Sequence, residues 1–158
     1  MVINDYAEKE RYLIQQDVEL SRRLRIVSRS KGTYVVVEDD MSVRDLIKVI
    51  VRTRGRNIAG FSSVAPAKEF IERNDGVSCC VVDINLINGE SGSDLVDWLE
   101  EYHKDVPIVV FTGDINQGKD VKEKYPWIKL IIKSSKDQVR LLMDALGLRD
   151  GPALLPTG

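Results

Sequence analysis

The segment VSCCVVDINL, residues 77–86, decides the fold, because an unbroken apolar run leads directly into a carboxylate. The residues from Val77 to Val82 suit a strand that is buried on both faces of a sheet, whereas Asp83 is charged. Strands of this kind are typical of parallel sheets that helices cover on both sides. The segment therefore predicts a rigid central strand that delivers Asp83 to a fixed place at its end.

The sequence on either side of this segment alternates predicted strands with predicted helices. The strands are expected at residues 33–38, 57–61, 77–82, 107–111 and 128–132. Ser42 is expected to cap the first of the following helices, and the last helix is expected at residues 135–146. Residues 113–127 have almost no apolar stripe, so we expect the fourth helix to be short, irregular or mobile. Five such units with right-handed crossovers predict an α/β fold with a doubly wound, five-stranded parallel sheet.

Two segments lie outside this domain, which we place at residues 32–148. Residues 4–28 contain no Gly or Pro and predict an extra N-terminal helix within residues 1–31. A seven-residue spacing of apolar residues favours a coiled coil for dimerisation, but a linker or a helix packed on its own domain explains it nearly as well; these residues are Tyr6, Leu13, Leu20 and Val27. Residues 149–158 are expected to form a loose tail.

The composition is that of an ordinary globular domain and excludes several classes of protein. The chain is 43% hydrophobic and 30% charged, and its net charge of −2 gives no indication of nucleic-acid or anionic membrane binding. It has no apolar run long enough to cross a bilayer, so we expect a cytoplasmic location. The adjacent Cys79 and Cys80 would point to opposite faces of a strand, which predicts two small buried side chains and no disulfide between them.

The ends of four predicted strands supply the candidate site. The residues at or just past these ends are Glu38, Asp39, Asp83, Thr112 and Lys133. Because the carboxyl ends of parallel strands form one edge of the sheet, we expect these side chains to meet there. Crowded carboxylates repel one another unless a cation neutralises them, and Mg²⁺ prefers such oxygen ligands. The pattern predicts a Mg²⁺ site in which Asp83 acts as a nucleophile that accepts a phosphoryl group.

The same residues resemble the receiver domain of two-component response regulators, of the chemotaxis-regulator type. The matching segments are YVVVEDDMSVRDLI (34–47), CCVVDINLINGESGSDLVDWL (79–99), PIVVFTGD (107–114) and IKLIIKSS (128–135). The resemblance implies a flavodoxin-like sheet with the strand order 2-1-3-4-5.

The resemblance also implies a role for each site residue. Asp83 is then the phospho-acceptor, and the Mg²⁺ ligands are Glu38, Asp39, Asp83 and the backbone carbonyl of Asn85. Thr112 and Lys133 would contact the phosphoryl group, with Thr112 as the switch hydroxyl. Asn85 and Asp114 occupy the positions that tune hydrolysis of the aspartyl phosphate. The family is not enzymatic beyond accepting and losing this group.

The implied partners are a histidine kinase or phosphotransfer protein and an unidentified downstream protein. A homodimer through the N-terminal helix is a further expectation. Binding to nucleic acid or to a membrane is not expected.

Two departures from the family pattern concern the usual signalling face: Leu130 stands where the switch aromatic is expected, and Ser134 replaces a proline. A degenerate receiver that binds proteins without phosphorylation is the alternative. A haloacid dehalogenase-type phosphohydrolase is disfavoured, because Asn85 stands where that family has a second acid.

Overall fold

The computed structural model describes residues 32–87, 89–134 and 136–148, in which five strands alternate with five helices. The predictions for residues 1–31 and 149–158, including a dimer through the N-terminal helix, lie outside these residues. In chain order the elements are β1 (Thr33–Val37), α1 (Met41–Thr53), β2 (Asn57–Phe61), α2 (Val64–Arg73), β3 (Val77–Val82), α3 (Gly92–Tyr102), β4 (Ile108–Thr112), α4 (Ile115–Lys124), β5 (Lys129–Ile132) and α5 (Gln138–Ala145). In this part of the chain, no helix combines the length and apolar character that a membrane span requires.

The five strands form a single parallel sheet in the order β2-β1-β3-β4-β5. β3 lies at the centre, where Val82 pairs with Val37 of β1 on one side and with Val110 of β4 on the other. Every residue of β3 and of β4 is buried, as expected for continuous apolar runs covered on both faces. The predicted doubly wound sheet and its strand order are confirmed.

The hydrophobic core is divided into two layers by the sheet. One layer joins Cys80 to buried residues of α2, α3 and α4, among them Ile71, Leu95 and Val121. The other layer joins Cys79 to buried residues of α1 and α5, among them Ile47 and Leu142. The two cysteines are free thiols on opposite faces of β3, which confirms their prediction as small buried side chains.

The first helix begins earlier than the sequence suggested. Asp40 caps α1 by accepting hydrogen bonds from the backbone N–H groups of Ser42 and Val43, at 2.9 and 3.2 Å. Ser42 is therefore inside the helix, and its prediction as the cap is wrong. A carboxylate is as good a cap as a hydroxyl and adds favourable charge at the helix N-terminus, so the upstream residue takes this place.

The fourth helix is regular, and its prediction as short or irregular is wrong. α4 has ten residues, the same length as α2. Its N-terminus is capped by the carboxylate of Asp114, which accepts a hydrogen bond from the N–H of Gln117 at 2.9 Å. Only Gly118 and Val121 are buried, which explains why hydrophobic periodicity did not reveal the helix.

Candidate functional site

Strand ends bring the predicted side chains together at the carboxyl edge of the sheet. Glu38, Asp83 and Thr112 are buried, with exposed fractions of 1%, 6% and 0%. Lys133 follows β5 and reaches across this edge, so that its Nζ lies 2.5 Å from Glu38 Oε1 and 2.9 Å from Asp83 Oδ2. One ammonium group thus bridges carboxylates that come from two different strands.

A third carboxylate completes a compact group of acids. One oxygen each of Glu38, Asp39 and Asp83 can be chosen so that all three lie within 4.8 Å of one another. Burial raises the pKa of Glu38 to about 7, with the neighbouring Asp83 adding to this rise and Lys133 opposing it. The site therefore has more negative charge than Lys133 alone can balance at neutral pH.

The ammonium group of Lys133 keeps its charge in this setting. Burial by itself would lower the pKa of Lys133, but the hydrogen bonds and charges of Glu38 and Asp83 outweigh it and raise this pKa above its ordinary value. Lys133 is therefore a fixed positive charge beside Asp83, suited to bind an anionic group that arrives at that carboxylate.

The three acids fit a magnesium ion in their chemistry and their spacing. Mg²⁺ takes oxygen ligands at roughly 2.0–2.1 Å in octahedral geometry and keeps several waters, so two or three carboxylates are enough to hold it. Glu38, Asp39 and Asp83 offer three such oxygens, one from each carboxylate.

A cleft beside Asp83 gives access to the site from solvent. It has a volume of about 510 Å³ and is lined by Asp83, Asn85, Thr112, Gly113, Asp114, Ile115, Asn116 and Lys133. This volume is ample for a phosphoryl group, and its walls offer a hydroxyl and an ammonium group as donors. Thr112 uses its Oγ1 here to accept a hydrogen bond from the N–H of Asp114 at 3.1 Å.

The two residues that the resemblance assigns to hydrolysis are in contact with each other. Asn85 Nδ2 donates to Asp114 Oδ2 at 2.9 Å, so the loop after β3 is joined to the start of α4 at the mouth of the cleft. The pKa of Asp114 is lowered by the backbone N–H of Gln117 and by Asn85, which keeps this carboxylate charged. Asp83, Asn85, Thr112, Asp114 and Lys133 therefore line one cleft, and Lys133 joins it to the buried Glu38.

Backbone contacts join the two ends of the loop between β3 and α3 beside Asp83. Gly92 N–H donates to the carbonyl of Ile84 at 2.7 Å, and Asn85 pairs with Ser91 in an antiparallel bridge. A Cβ atom on Gly92 would lie 1.9 Å from the carbonyl oxygen of Asp83, so only glycine fits at the first position of α3.

Three further residues support the site and were missed in the sequence. Arg44 Nη1 donates to the carbonyl of Glu38 at 2.7 Å, and the N–H of Ile87 donates to Asp39 Oδ2 at 2.5 Å. Glu90 accepts a hydrogen bond from the N–H of Val64 at the start of α2, at 3.4 Å. Only Arg44 had a usable signal, because a side chain one turn into a helix points back towards its N-terminus.

The two departures from the family pattern are local in their effect. The described residues contain no cis peptide bond, so the Lys133–Ser134 bond is trans, and Lys133 still reaches both carboxylates. Leu130 is half-buried on β5 and packs against the core layer that includes Val121. An aliphatic side chain thus occupies the place of the switch aromatic.

Comparisons with solved structures find the same architecture in other proteins. A sensor protein from Polaromonas sp. JS666 superimposes with a TM-score of 0.62 at 23% identity, over 73% of this chain and 93% of that one. The response regulator protein TrrA from Thermotoga maritima, solved in complex with Mg²⁺ and BeF, superimposes with a TM-score of 0.61 at 20% identity, over 73% and 98% of the two chains. At these identities the likeness establishes the fold.

Sequence comparisons establish the family. Nodulation protein W from Bradyrhizobium diazoefficiens is 34% identical over 86 residues, which are 53% of this chain and 36% of that protein. The match therefore spans only about a third of the length of that relative. The family model of the response regulator receiver domain matches residues 34–125, which is more than half of the chain. With the strand order and the cleft around Asp83, this match identifies the chain as a member of the response regulator receiver domain family.

Proposed function

We propose that this receiver accepts a phosphoryl group on Asp83, with Mg²⁺ as cofactor, and thereby acts in two-component signal transduction. The main supporting observation is the ammonium group of Lys133, which joins Glu38 Oε1 and Asp83 Oδ2 while Asp39 completes the acidic group. A site made only for structural stability would not need three acids and an open cleft at one edge.

The transfer requires little covalent chemistry from the protein. A carboxylate oxygen of Asp83 attacks phosphorus, beside the ammonium group of Lys133. The N–P bond of a phosphohistidine breaks as the O–P bond forms, and the histidine nitrogen leaves with the electron pair and then takes a proton from water. Bound Mg²⁺ would neutralise phosphoryl oxygens and hold them in line. In this proposal its protein ligands are Glu38, Asp39, Asp83 and the carbonyl of Asn85, and the complex of TrrA with Mg²⁺ and BeF supports the choice of ion.

The remaining cleft residues would act on the bound phosphoryl group. Lys133 contacts it as a cation, and the hydroxyl of Thr112 donates to it. Asn85 and Asp114, which are hydrogen-bonded to each other over the cleft, control how readily water reaches the aspartyl phosphate. Beyond accepting this group and losing it by hydrolysis, we assign no enzymatic reaction to the domain.

The partners in this proposal follow from the chemistry. The donor is a histidine kinase or a phosphotransfer protein in the cytoplasm, and the signal passes to a downstream protein by contact. Self-association through residues 1–31, for which the sequence predicts a helix, is a further route. A degenerate receiver would keep these contacts but would form no aspartyl phosphate.

The test is the mass of the intact protein after incubation with acetyl phosphate, with and without Mg²⁺. We expect a Mg²⁺-dependent gain of one phosphoryl group that Asp83→Asn abolishes. The matched control is Asp75→Asn, which changes an exposed carboxylate in the loop before β3, at the opposite edge of the sheet. A folded wild-type protein that gains no mass with Mg²⁺ present would favour the degenerate receiver.

A further inference from the structure

A groove at the amino edge of the sheet, where the strands begin, takes no part in the function proposed above. It lies between the loop that joins α2 to β3 and the loop that joins α3 to β4, and its volume is about 320 Å³. The buried part of its lining is apolar and consists of Ile71, Val77 and Val106. The more exposed part includes the carboxylates of Glu72, Asp75 and Asp105. We call this cavity the edge groove.

The edge groove is suited to bind a cation. No lysine or arginine among the described residues lines it, and the adjacent Arg73 pairs with Glu69 on α2 at 2.8 Å. His103, which also lines the groove, has its Nε2 atom 3.5 Å from Glu72 Oε1. α2 and α3 both end at this edge, and the C-terminus of a helix carries a partial negative charge. The carboxylates and the two helix ends together give the groove a negative potential.

The chain enters the domain beside the edge groove. Thr33, the first residue of β1, pairs with Val77 of the groove, and its N–H donates to the carbonyl of Gly76 at 2.9 Å. A Cβ atom on Gly32 would lie 2.1 Å from the same carbonyl oxygen, so only glycine fits there. The backbone that leads into β1 is therefore held against the loop that contains Asp75.

The sequence just before Gly32 has the charge that complements the edge groove. Residues 22–31, which we call the basic segment, contain no acid, whereas every acid of residues 1–31 lies before residue 20. The basic residues of this segment are Arg22, Arg23, Arg25, Arg29 and Lys31. Arg29 is three positions from Gly32, and three residues span at most about 11 Å. The last two basic side chains are therefore tethered within reach of the groove.

We propose that the edge groove is the docking site of the basic segment of the same chain, with Arg29 and Lys31 bound by the groove carboxylates. The tether favours this occupant over a separate cation, because a short connection gives a local concentration on the order of millimolar. Exposed ion pairs are individually weak, so several pairs together hold the segment. Docking keeps the basic segment at the edge opposite Asp83 and leaves the cleft there open to a phosphoryl donor. This inference does not rest on the proposed function.

The test is the initial rate at which trypsin cleaves the full chain after Arg29, compared by mass spectrometry with the rate for a synthetic peptide of residues 22–36. The peptide lacks the edge groove, so the ratio of the two rates measures how far docking protects this bond. At about 20 mM NaCl we expect cleavage of the full chain to be about fivefold slower than that of the peptide, as several weak ion pairs would give. At about 0.5 M NaCl most of this protection should be lost, because salt screens exposed charges.

Two matched double variants separate docking from a general change of charge. Glu72→Gln with Asp105→Asn removes two groove carboxylates, and we expect the protection at low salt to fall below about twofold. Glu123→Gln with Asp120→Asn removes the same charges from exposed positions on α4 outside the groove and should keep the wild-type protection. Lys31→Gln guards against a folding defect in the groove variant, because it lies outside residues 32–148. It should also lower the protection, relative to a peptide with the same substitution.

The inference is overturned by equal rates in the wild type and the peptide at low salt, or by equal protection in the two double variants. It is also overturned if Lys31→Gln is protected as fully as the wild type. Protection that is lost on about hundredfold dilution would place a second copy of the chain in the groove, and so overturn docking within one chain. The phosphoryl gain at Asp83 is measured separately by intact mass, so none of these results decides the proposed function.

Discussion

At the scale of single residues, Gly92 shows how tightly the backbone around Asp83 is packed. A Cβ atom there would lie within 2.9 Å of three backbone atoms of residues 83 and 84, and backbone cannot move aside as a flexible side chain can. We expect Gly92→Ala to lower the free energy of unfolding by about 1–3 kcal/mol, as overpacking does. Urea denaturation measures this change.

The matched control for this prediction is Gly76→Ala. A Cβ atom on the exposed Gly76 has no atom within 4 Å, so its replacement should leave the stability nearly unchanged. Equal effects of the two substitutions would show that the close approach between Gly92 and Asp83 is not what restricts this position.

Tyr34 makes stability depend on pH at the alkaline end. Its hydroxyl is buried and donates a hydrogen bond to the carbonyl of Leu146 at 2.9 Å. The pKa of Tyr34 is raised from the ordinary value of 10.0 to about 12, mainly by burial and further by the neighbouring Cys79, while Arg56 lowers it. Between these values the unfolded chain loses the proton before the folded one, so stability falls as pH rises. The hydroxyl should contribute about 1 kcal/mol near neutral pH.

Tyr34→Phe isolates this contribution. We expect the variant to be less stable than the wild type at pH 8, with the difference shrinking as pH rises from 10 towards 12. Denaturant unfolding at a series of pH values measures the difference. A constant difference over this range would mean that Tyr34 does not hold its proton more tightly in the folded state.

The site residues were predictable because each follows an apolar strand, and topology alone then brings them to one edge. Asp83 and Lys133 are 50 positions apart, yet their side chains meet at 2.9 Å as predicted. The supporting contacts were not predictable in the same way. The N–H of Ile87 and the carbonyl of Glu38 belong to the backbone, and no side-chain pattern shows which loop will approach which.

At the scale of elements, the start of α1 shows how capping and the site share one short loop. Asp40 caps the helix, whereas the preceding Glu38 and Asp39 belong to the acidic group with Asp83. We expect Asp40→Ala to cost about 1 kcal/mol of stability, the usual effect of losing a cap. Ser42→Ala should change stability by less than about 0.5 kcal/mol, as an exposed change away from the cap does. Thermal and urea unfolding measure the loss of stability in each variant. A larger loss in Ser42→Ala than in Asp40→Ala would show that Ser42 is the cap.

The elements were predicted well where burial is extensive and poorly where it is sparse. β1, β3 and β4 are buried along most or all of their length, and their sequences show it. α4 was misjudged because one of its two buried residues is a glycine, which contributes nothing to a hydrophobic pattern. α5 begins at Gln138, three residues after the predicted start, because the preceding loop has polar residues that suit either state.

At the scale of the whole molecule, the proposed metal site predicts that stability depends on Mg²⁺. The carboxyl groups of Glu38 and Asp83 are buried next to each other. A cation that binds there only in the folded state raises the free energy of unfolding, by about 2.7 kcal/mol at a concentration of 100 times Kd. We expect Mg²⁺ to raise Tm, and Asp39→Asn to remove most of this rise. Asp40→Asn is the control, because asparagine also caps helices and Asp40 lies outside the acidic group. Equal Mg²⁺ responses in both variants would exclude Asp39 as a ligand.

The division of the core by β3 has a further consequence for how unfolding can be observed. Cys79 and Cys80 are adjacent in the chain, yet each lies in a different core layer, and burial raises the pKa of both thiols, that of Cys79 to about 12. Each thiol therefore becomes reactive towards an alkylating reagent only when its own side of the sheet opens. We expect Cys79→Ala and Cys80→Ala to leave single thiols that react at equal rates, because a small domain opens as one unit. A tenfold difference in the alkylation rate would identify the core layer that opens first. The two cysteines of β3 can therefore report separately on the two sides of the sheet.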